Sequence, residues 1–227
     1  MPVGTSDLTT GRRVTRLPRK PRALGFDFDG TLADSIDYMS NTWLKLARSM
    51  GADPKVDVKE LVGMTGKEIA RILAGGDEQL LARIMEGRIE AFDTKIYIEN
   101  VKLFPDTVPV LGELKKRGYK MALASSTPTA RIKAMAPAYG IDGFFDAIIG
   151  GDEVRRSKPA PDLIAETARE LGVLTTDLGY VGDTRYDVEA SLEAGAMAIL
   201  IVRTSEEYVG PEPDLRVQSL SRLLAHL

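Results

Sequence analysis

Two aspartates, Asp27 and Asp29, stand two residues apart where an apolar run gives out in the string FDFDGTLADS at 26–35. The lead-in Ala23-Leu24-Gly25-Phe26 has no polar alternation, the pattern of a strand covered on both faces as in a parallel sheet. A side-chain period of two puts both carboxylates on one side, and Gly30 turns the chain just beyond them. Two carboxylates so close in apolar surroundings are costly unless a positive charge lies between them. Further apolar runs end in other polar groups: Ser125-Ser126 after one, Ser157-Lys158-Pro159 after a second, and Gly182-Asp183-Thr184 after a third, with Asp187 four residues on from Asp183. The inventory is four carboxylates, one hydroxyl and one ammonium. Hard oxygen ligands without histidine or cysteine select Mg²⁺ over zinc or copper and leave octahedral positions for water and a phosphate oxygen. One carboxylate can then attack phosphorus to give an aspartyl-phosphate. A second, two residues on, can protonate the leaving oxygen and afterwards activate water. Lys158 and Ser125 suit the non-bridging phosphate oxygens, with Ser126 competing for the role of Ser125.

These groups meet only if the fold brings the ends of separate strands together. Five apolar runs read as strands: Ala23–Phe28, Lys120–Ala124, Phe145–Ile149, Leu178–Val181 and Ala198–Val202. Helices separate the later ones. Thr127 reads as an N-cap with Pro128 in the first helical position, Pro161-Asp162 opens a second helix that ends near Leu171-Gly172, and Tyr186 to Ala194 forms a third, stopped by Gly195. Such alternation predicts a doubly wound, right-handed parallel α/β sheet, with ligand bound beyond the carboxyl ends of the strands at the switch in strand order. From about Ser35 to Lys102 the alternation stops. Ile36, Trp43, Leu46, Ala47 and Met50 keep helical spacing, Thr65-Gly66-Lys67-Glu68 has the capping-box pattern, and Leu80 to Ile96 reads as one longer amphipathic helix. The expected organisation is a basic, disordered leader over 1–22, a core domain over 23–34 and 103–227, and an all-helical cap domain over 35–102. Thr65, Gly66 and Lys67 lie between cap helices, where a loop could face substrate and Lys67 could meet an anionic group; a plain helix start is the competing reading.

Composition narrows the function classes. The chain has 227 residues, 44% hydrophobic and 28% charged, with a formal net charge of −3, which suits a soluble protein acting on a small molecule rather than on nucleic acid. It has no cysteine, which removes disulfides, thiolate metal sites and thiol nucleophiles and fits a reducing cytoplasm. No apolar run reaches the roughly 18 residues that span a bilayer. His226, the single histidine, sits one residue from the C-terminus, away from any of these groups.

With DFDGT at 27–31, Ser125 after an apolar strand, Lys158 in SKPAPD and GDTRYD at 182–187, all in this order, the sequence resembles the haloacid dehalogenase superfamily, in the phosphoglycolate phosphatase and β-phosphoglucomutase subgroup with a helical C1 cap. The resemblance spans about residues 23 to 205. It implies a nucleophile at Asp27 and a general acid/base at Asp29, which would also lend its backbone carbonyl to Mg²⁺. It implies a phosphate-binding pair in Ser125 and Lys158, a main metal ligand in Asp183, and a second ligand or outer-shell support in Asp187. The expected activity is Mg²⁺-dependent hydrolysis of a small phosphorylated metabolite by a monomer or homodimer, with a phosphosugar mutase as runner-up. A phospho-receiver or an inactive binding module are the non-enzymatic readings; the helical insert and Asp29 weigh against the first and the complete set of site residues against the second.

Overall fold

A computed structural model describes residues 17–203 and 208–227. Its strands are β1 (Ala23–Phe26), β2 (Ala33–Asp34), β3 (Lys102–Leu103), β4 (Lys120–Ser125), β5 (Ala147–Gly150), β6 (Leu178–Gly182), β7 (Met197–Ile201) and β8 (Leu215–Val217). The helices are α1 (Ile36–Ser49), α2 (Gly66–Ala74), α3 (Glu78–Ala91), α4 (Thr94–Asn100), α5 (Thr107–Lys116), α6 (Thr129–Ala138), α7 (Asp162–Leu171), α8 (Arg185–Ala194) and α9 (Leu220–Leu223). Six strands form one parallel sheet in the order β5-β4-β1-β6-β7-β8. β1 is central, and the chain winds outward from it in both directions, so the switch in strand order lies at the carboxyl end of β1.

Side-chain size differs between the two faces of the sheet. Leu24, Phe26, Met121, Leu123, Met197 and Ile199 pack with residues of α5, α6 and α9, while Ala23, Ala122 and Ala124 on the opposite face pack with α7. The small face makes room for Tyr180, which is 1% exposed. Gly25 is part of that accommodation, since a Cβ there would lie 2.7 Å from the Tyr180 ring. Both faces are covered, which is why the strands read as unbroken apolar runs.

Between β1 and α5 the chain builds a second, smaller apolar core. Trp43, Leu46, Ala47, Leu61, Ile69, Leu73, Ile84 and Phe92 pack together there, with the Trp43 and Phe92 rings 4.7 Å apart. The short antiparallel pair β2–β3 joins the two ends of this cap. α2 starts with the full capping box: the Thr65 side chain accepts from Glu68 N–H and the Glu68 side chain accepts from Thr65 N–H.

Several details depart from the sequence expectations. The helix expected over Leu80 to Ile96 is two, broken at Phe92-Asp93, where Asp93 caps α4 by accepting from the N–H groups of Lys95 and Ile96. Apolar spacing runs across that break, which conceals it, and Ile89 in that stripe is 76% exposed. β8 follows none of the expected strands; three residues, Leu215–Val217, are too few for a periodic signal. α6 begins at Thr129, with Pro128 at the N-cap position instead of Thr127. Of the leader expected over 1–22, residues 1–16 lie outside the described residues. Residues 17–22 lie on the core: Leu17 is buried, Arg19 Nε donates to Thr176 O at 2.6 Å, and Arg22 N–H donates to Asp177 O at 2.8 Å.

Candidate active site

The polar groups at the strand ends converge. Asp27 continues β1, its N–H donating to Val181 O at 2.9 Å, and its carboxylate is 1% exposed. Lys158 is fully buried and reaches three groups: Asp27 Oδ2 at 2.8 Å, Asp187 Oδ1 at 2.6 Å and the Tyr180 hydroxyl at 3.4 Å. Tyr180 is held in turn by donating to Ala124 O at 2.6 Å. The ammonium and its two carboxylates therefore sit on a ring that cannot shift without disturbing β4.

Asp183 enters from the end of β6, and its Oδ1 accepts from Thr31 Oγ1 at 2.9 Å. Two glycines let the acidic groups approach so closely. A Cβ on Gly30, whose φ is 77°, would fall 2.0 Å from Asp183 Oδ2, and one on Gly182 would fall 2.2 Å from Asp187 Cγ. Asp27, Asp183 and Asp187 each offer one carboxylate oxygen within 4.8 Å of the others, a spacing that fits one cation. Their shares differ. Asp187 Oδ2 already accepts from Thr184 N–H at 2.9 Å and from Thr184 Oγ1 at 2.6 Å, capping α8, and its Oδ1 is taken by Lys158. Asp27 Oδ1 is buried with no hydrogen-bond partner.

The electrostatics of this floor call for a further positive charge. Burial, then Asp187 and Asp29 acting against Lys158, push Asp27 up to about 7. Burial followed by Asp187 and Asp27 pushes Asp183 well above the usual carboxylate range. Burial works against the charge on Lys158, but Asp187 and Asp27 outweigh it and raise that group well above its ordinary value. One ammonium thus pairs with two buried carboxylates, Asp27 and Asp187, beside a third, Asp183, that is half-buried. A divalent cation at Asp27 and Asp183 would offset the excess, and the all-oxygen donor set fits Mg²⁺.

Asp29 is placed differently. Its carboxylate lies outside the three-carboxylate group, with Oδ1 accepting from the buried Tyr97 hydroxyl and Oδ2 from Thr127 Oγ1 at 3.3 Å. Tyr97 comes from α4, the last cap helix, so the cap itself orients this carboxyl. Burial, then the neighbouring Asp29 charge, hold the Tyr97 hydroxyl protonated and able to donate.

Ser125 is 2% exposed and lines a small cavity, partly open to solvent, together with Asp27, Asp29, Ser126 and Thr127 of the core. Met39, Val62, Gly63, Met64 and Ile69 close it from the cap. Ser126 is committed elsewhere, donating to Gly63 O at 2.7 Å and meeting Ser157 Oγ at 3.0 Å. This contact and that of the Tyr186 hydroxyl with Glu60 O at 2.9 Å seat the cap loop on the core. Of the three cap residues singled out by sequence, Thr65 caps α2, Gly66 packs against Arg88, and Lys67 is exposed; Gly63 and Met64, just before them, are the ones that line the cavity.

Sequence reasoning missed Tyr97, Tyr180, Thr31 and Thr127 as supports. Thr31 and Thr127 sit within two residues of groups it named, which was the available signal. Tyr180 carries a weaker one, a polar tip inside an otherwise apolar strand. Tyr97 carries none, since its contact spans 68 positions of chain.

The comparisons with known proteins agree with this geometry. The profile of the haloacid dehalogenase-like hydrolases matches residues 25–201. A phosphoglycolate phosphatase of Photorhabdus laumondii is 31% identical over 215 residues, covering 90% of this chain and 91% of that protein. Among solved structures, a putative haloacid dehalogenase-like hydrolase from Bacteroides fragilis superimposes with a TM-score of 0.78 at 28% identity, over 90% of this chain and all of that one. A β-phosphoglucomutase from Clostridium difficile shares the fold, with a TM-score of 0.77 at 22% identity over 89% of this chain and 93% of that one. With its helical cap and its match over most of the chain, this protein belongs to the haloacid dehalogenase-like hydrolases.

Proposed function

We propose that the chain is an Mg²⁺-dependent phosphatase that hydrolyses a small phosphorylated metabolite, of the phosphoglycolate kind, through an aspartyl-phosphate on Asp27. The observation that carries this reading is Asp27 itself: Oδ2 is fixed by Lys158 while Oδ1 is buried with no partner. A carboxylate anchored at one oxygen and bare at the other is poised to attack. Relatives named phosphoglycolate phosphatase, about 30% identical to the chain, support the reaction class.

In this reading Asp27 attacks phosphorus and the alcohol leaves. Asp29, oriented by Tyr97 and Thr127, gives its proton to the departing oxygen and then takes one from the water that cleaves the aspartyl-phosphate. Lys158 and Ser125 hold the non-bridging oxygens. Asp27, the Asp29 backbone carbonyl and Asp183 would hold Mg²⁺, with Asp187 fixing Lys158 and the start of α8 behind them. When bound, the cation supplies charge that neutralises the carboxylates and the phosphate oxygens. The cap loop resting on Ser126 keeps bulk water from the phosphoenzyme.

The test is release of inorganic phosphate from p-nitrophenyl phosphate and from a panel of phosphorylated metabolites. Asp27→Asn should lower turnover at least about a thousandfold while the far-ultraviolet circular dichroism is retained. Near-normal turnover by that variant would remove the nucleophile and the reading with it.

A further inference from the structure

Two positive side chains near the boundary of cap and core have no ion-pair partner among the described residues. Arg88 lies on α3 in the cap and Arg131 on α6 in the core, both half-buried. Among the described residues neither makes a hydrogen bond or an ion pair, and Arg88 Nε, Arg131 Nε and Arg131 Nη2 are buried without an acceptor. The pair shares one neighbourhood. Arg131 Cζ lies 5.6 Å from the centre of the Phe92 ring, and Phe92 is one helical turn from Arg88, to whose carbonyl its N–H donates at 3.0 Å. Aromatic rings attract a guanidinium but accept none of its five N–H bonds and neutralise none of its charge. Two neighbouring half-buried cations whose buried N–H groups lack acceptors are an arrangement that a bound anion would relieve.

Their position says which anion. Arg131 Cζ also lies 4.9 Å from the centre of the Tyr97 ring, and the hydroxyl of that ring donates to Asp29. Arg88 reaches the start of α2, where its Nη1 would come 2.6 Å from a Cβ on Gly66, so the missing side chain at 66 is what admits the guanidinium. Gly66 follows directly on the loop whose Gly63 and Met64 line the cavity. A phosphoryl group captured by Asp27 has its leaving oxygen at Asp29. In the phosphatase reading the rest of the substrate extends from Asp29 into the cavity that Gly63, Met64 and Ile69 close from the cap.

We infer that Arg88 and Arg131 together bind a second anionic group of the substrate, a carboxylate or a second phosphate, and so select doubly anionic substrates over those with a neutral tail. This rests on the phosphatase reading for its placement of the leaving group. The planar donor forks of two guanidiniums suit either anion, and the single Tyr97 ring that separates Arg131 from Asp29 suits a substrate of only a few carbon atoms. One arginine from each domain also means that the anion bridges cap and core, so that binding the right substrate holds the site shut.

The experiment uses the full chain with Mg²⁺ and separates binding from turnover. Calorimetric titration compares 3-phosphonopropionate, which carries a carboxylate, and propane-1,3-bisphosphonate, which carries a second phosphonate, with propylphosphonate, whose tail is neutral. The wild type should bind at least one probe with an anionic tail about tenfold or more tighter than propylphosphonate. Which probe wins identifies the anion. Arg131→Gln and Arg88→Gln should each abolish most of that preference. Arg131→Lys, which keeps the charge, should restore part of it. Equal affinity for the three probes, or a preference that survives both glutamine variants, overturns the inference. If the wild type hydrolyses p-nitrophenyl phosphate and shows no preference, only the arginine pair fails. If it binds the probes selectively but releases no phosphate from any monoester, the phosphatase reading fails and the anion site stands.

Discussion

The floor of the crevice and the cap above it treat buried charge in opposite ways. On the floor, Lys158 is bonded to two carboxylates and braced by Tyr180, and Asp183 is held by Thr31. The excess there is negative. In the cap and at its edge, Arg131 lies against the Phe92 and Tyr97 rings, neither it nor Arg88 has an ion-pair partner among the described residues, and the local excess is positive. A floor whose side chains fix one another can repeat one chemical step on any phosphate that reaches it. A cap whose charge is uncompensated gains stability only from a ligand that supplies the opposite sign. On the proposed reading chemistry belongs to the floor and selectivity to the arginine pair, and Tyr97 on α4, packed in the main core, ties the two by donating to Asp29.

The comparison breaks first if the floor is not the tightly coupled unit described. Lys158→Met leaves Asp27 and Asp187 buried without their ammonium, and in metal-free protein this should cost about 3–5 kcal/mol in urea unfolding. A loss below about 1 kcal/mol would mean that the carboxylates escape to solvent and that the floor is not closed.

The pH response separates the two regions next. Asp27 titrates at about 7 when folded, above its ordinary 3.8, and Asp183 is displaced in the same direction. A folded carboxyl that keeps its proton where the unfolded chain has lost it stabilises at low pH. That contribution is whole below about 4 and fades as pH rises through about 7. Metal-free protein should therefore lose floor stability between those values. On the proposed reading Mg²⁺ takes the place of the lost protons, so the rise in Tm on adding it should be larger near pH 8 than near pH 5.5. An equal rise at both would mean that the cation binds elsewhere than at these carboxylates.

The reach of sequence reasoning divides along the same line. Asp27, Asp183 and Lys158 were legible because strands buried on both faces must end in a turn, and polar residues at several such ends can only meet at the switch point. The boundary between α3 and α4 was not, since an aspartate N-cap inside a continuing apolar stripe looks like one more solvent-facing residue. Tyr97 and Arg131 were hidden for a more general reason. Their meaning lies in what they touch across the cap–core boundary, and a tyrosine or arginine on an amphipathic helix reads as a surface residue until its neighbours are known. Asp187 falls between: its capping role was visible in Thr184-x-x-Asp187, but its grip on Lys158 was not.

That residue allows a finer comparison, because the same capping box occurs once in each region. Thr65 and Glu68 open α2 in the cap, and Thr184 and Asp187 open α8 on the floor, each with reciprocal side-chain and backbone bonds. Thr65→Ala removes a hydroxyl whose only duties are local, and the cost should be about 1 kcal/mol with p-nitrophenyl phosphate turnover within about twofold of wild type. Thr184→Ala removes the same local bonds but also frees Asp187, whose other oxygen positions Lys158, so a lowered kcat should accompany a stability loss at least as large. If the two alanine variants matched in both stability and turnover, Asp187 would be a cap and nothing more, and Lys158 would depend on Asp27 alone for its place.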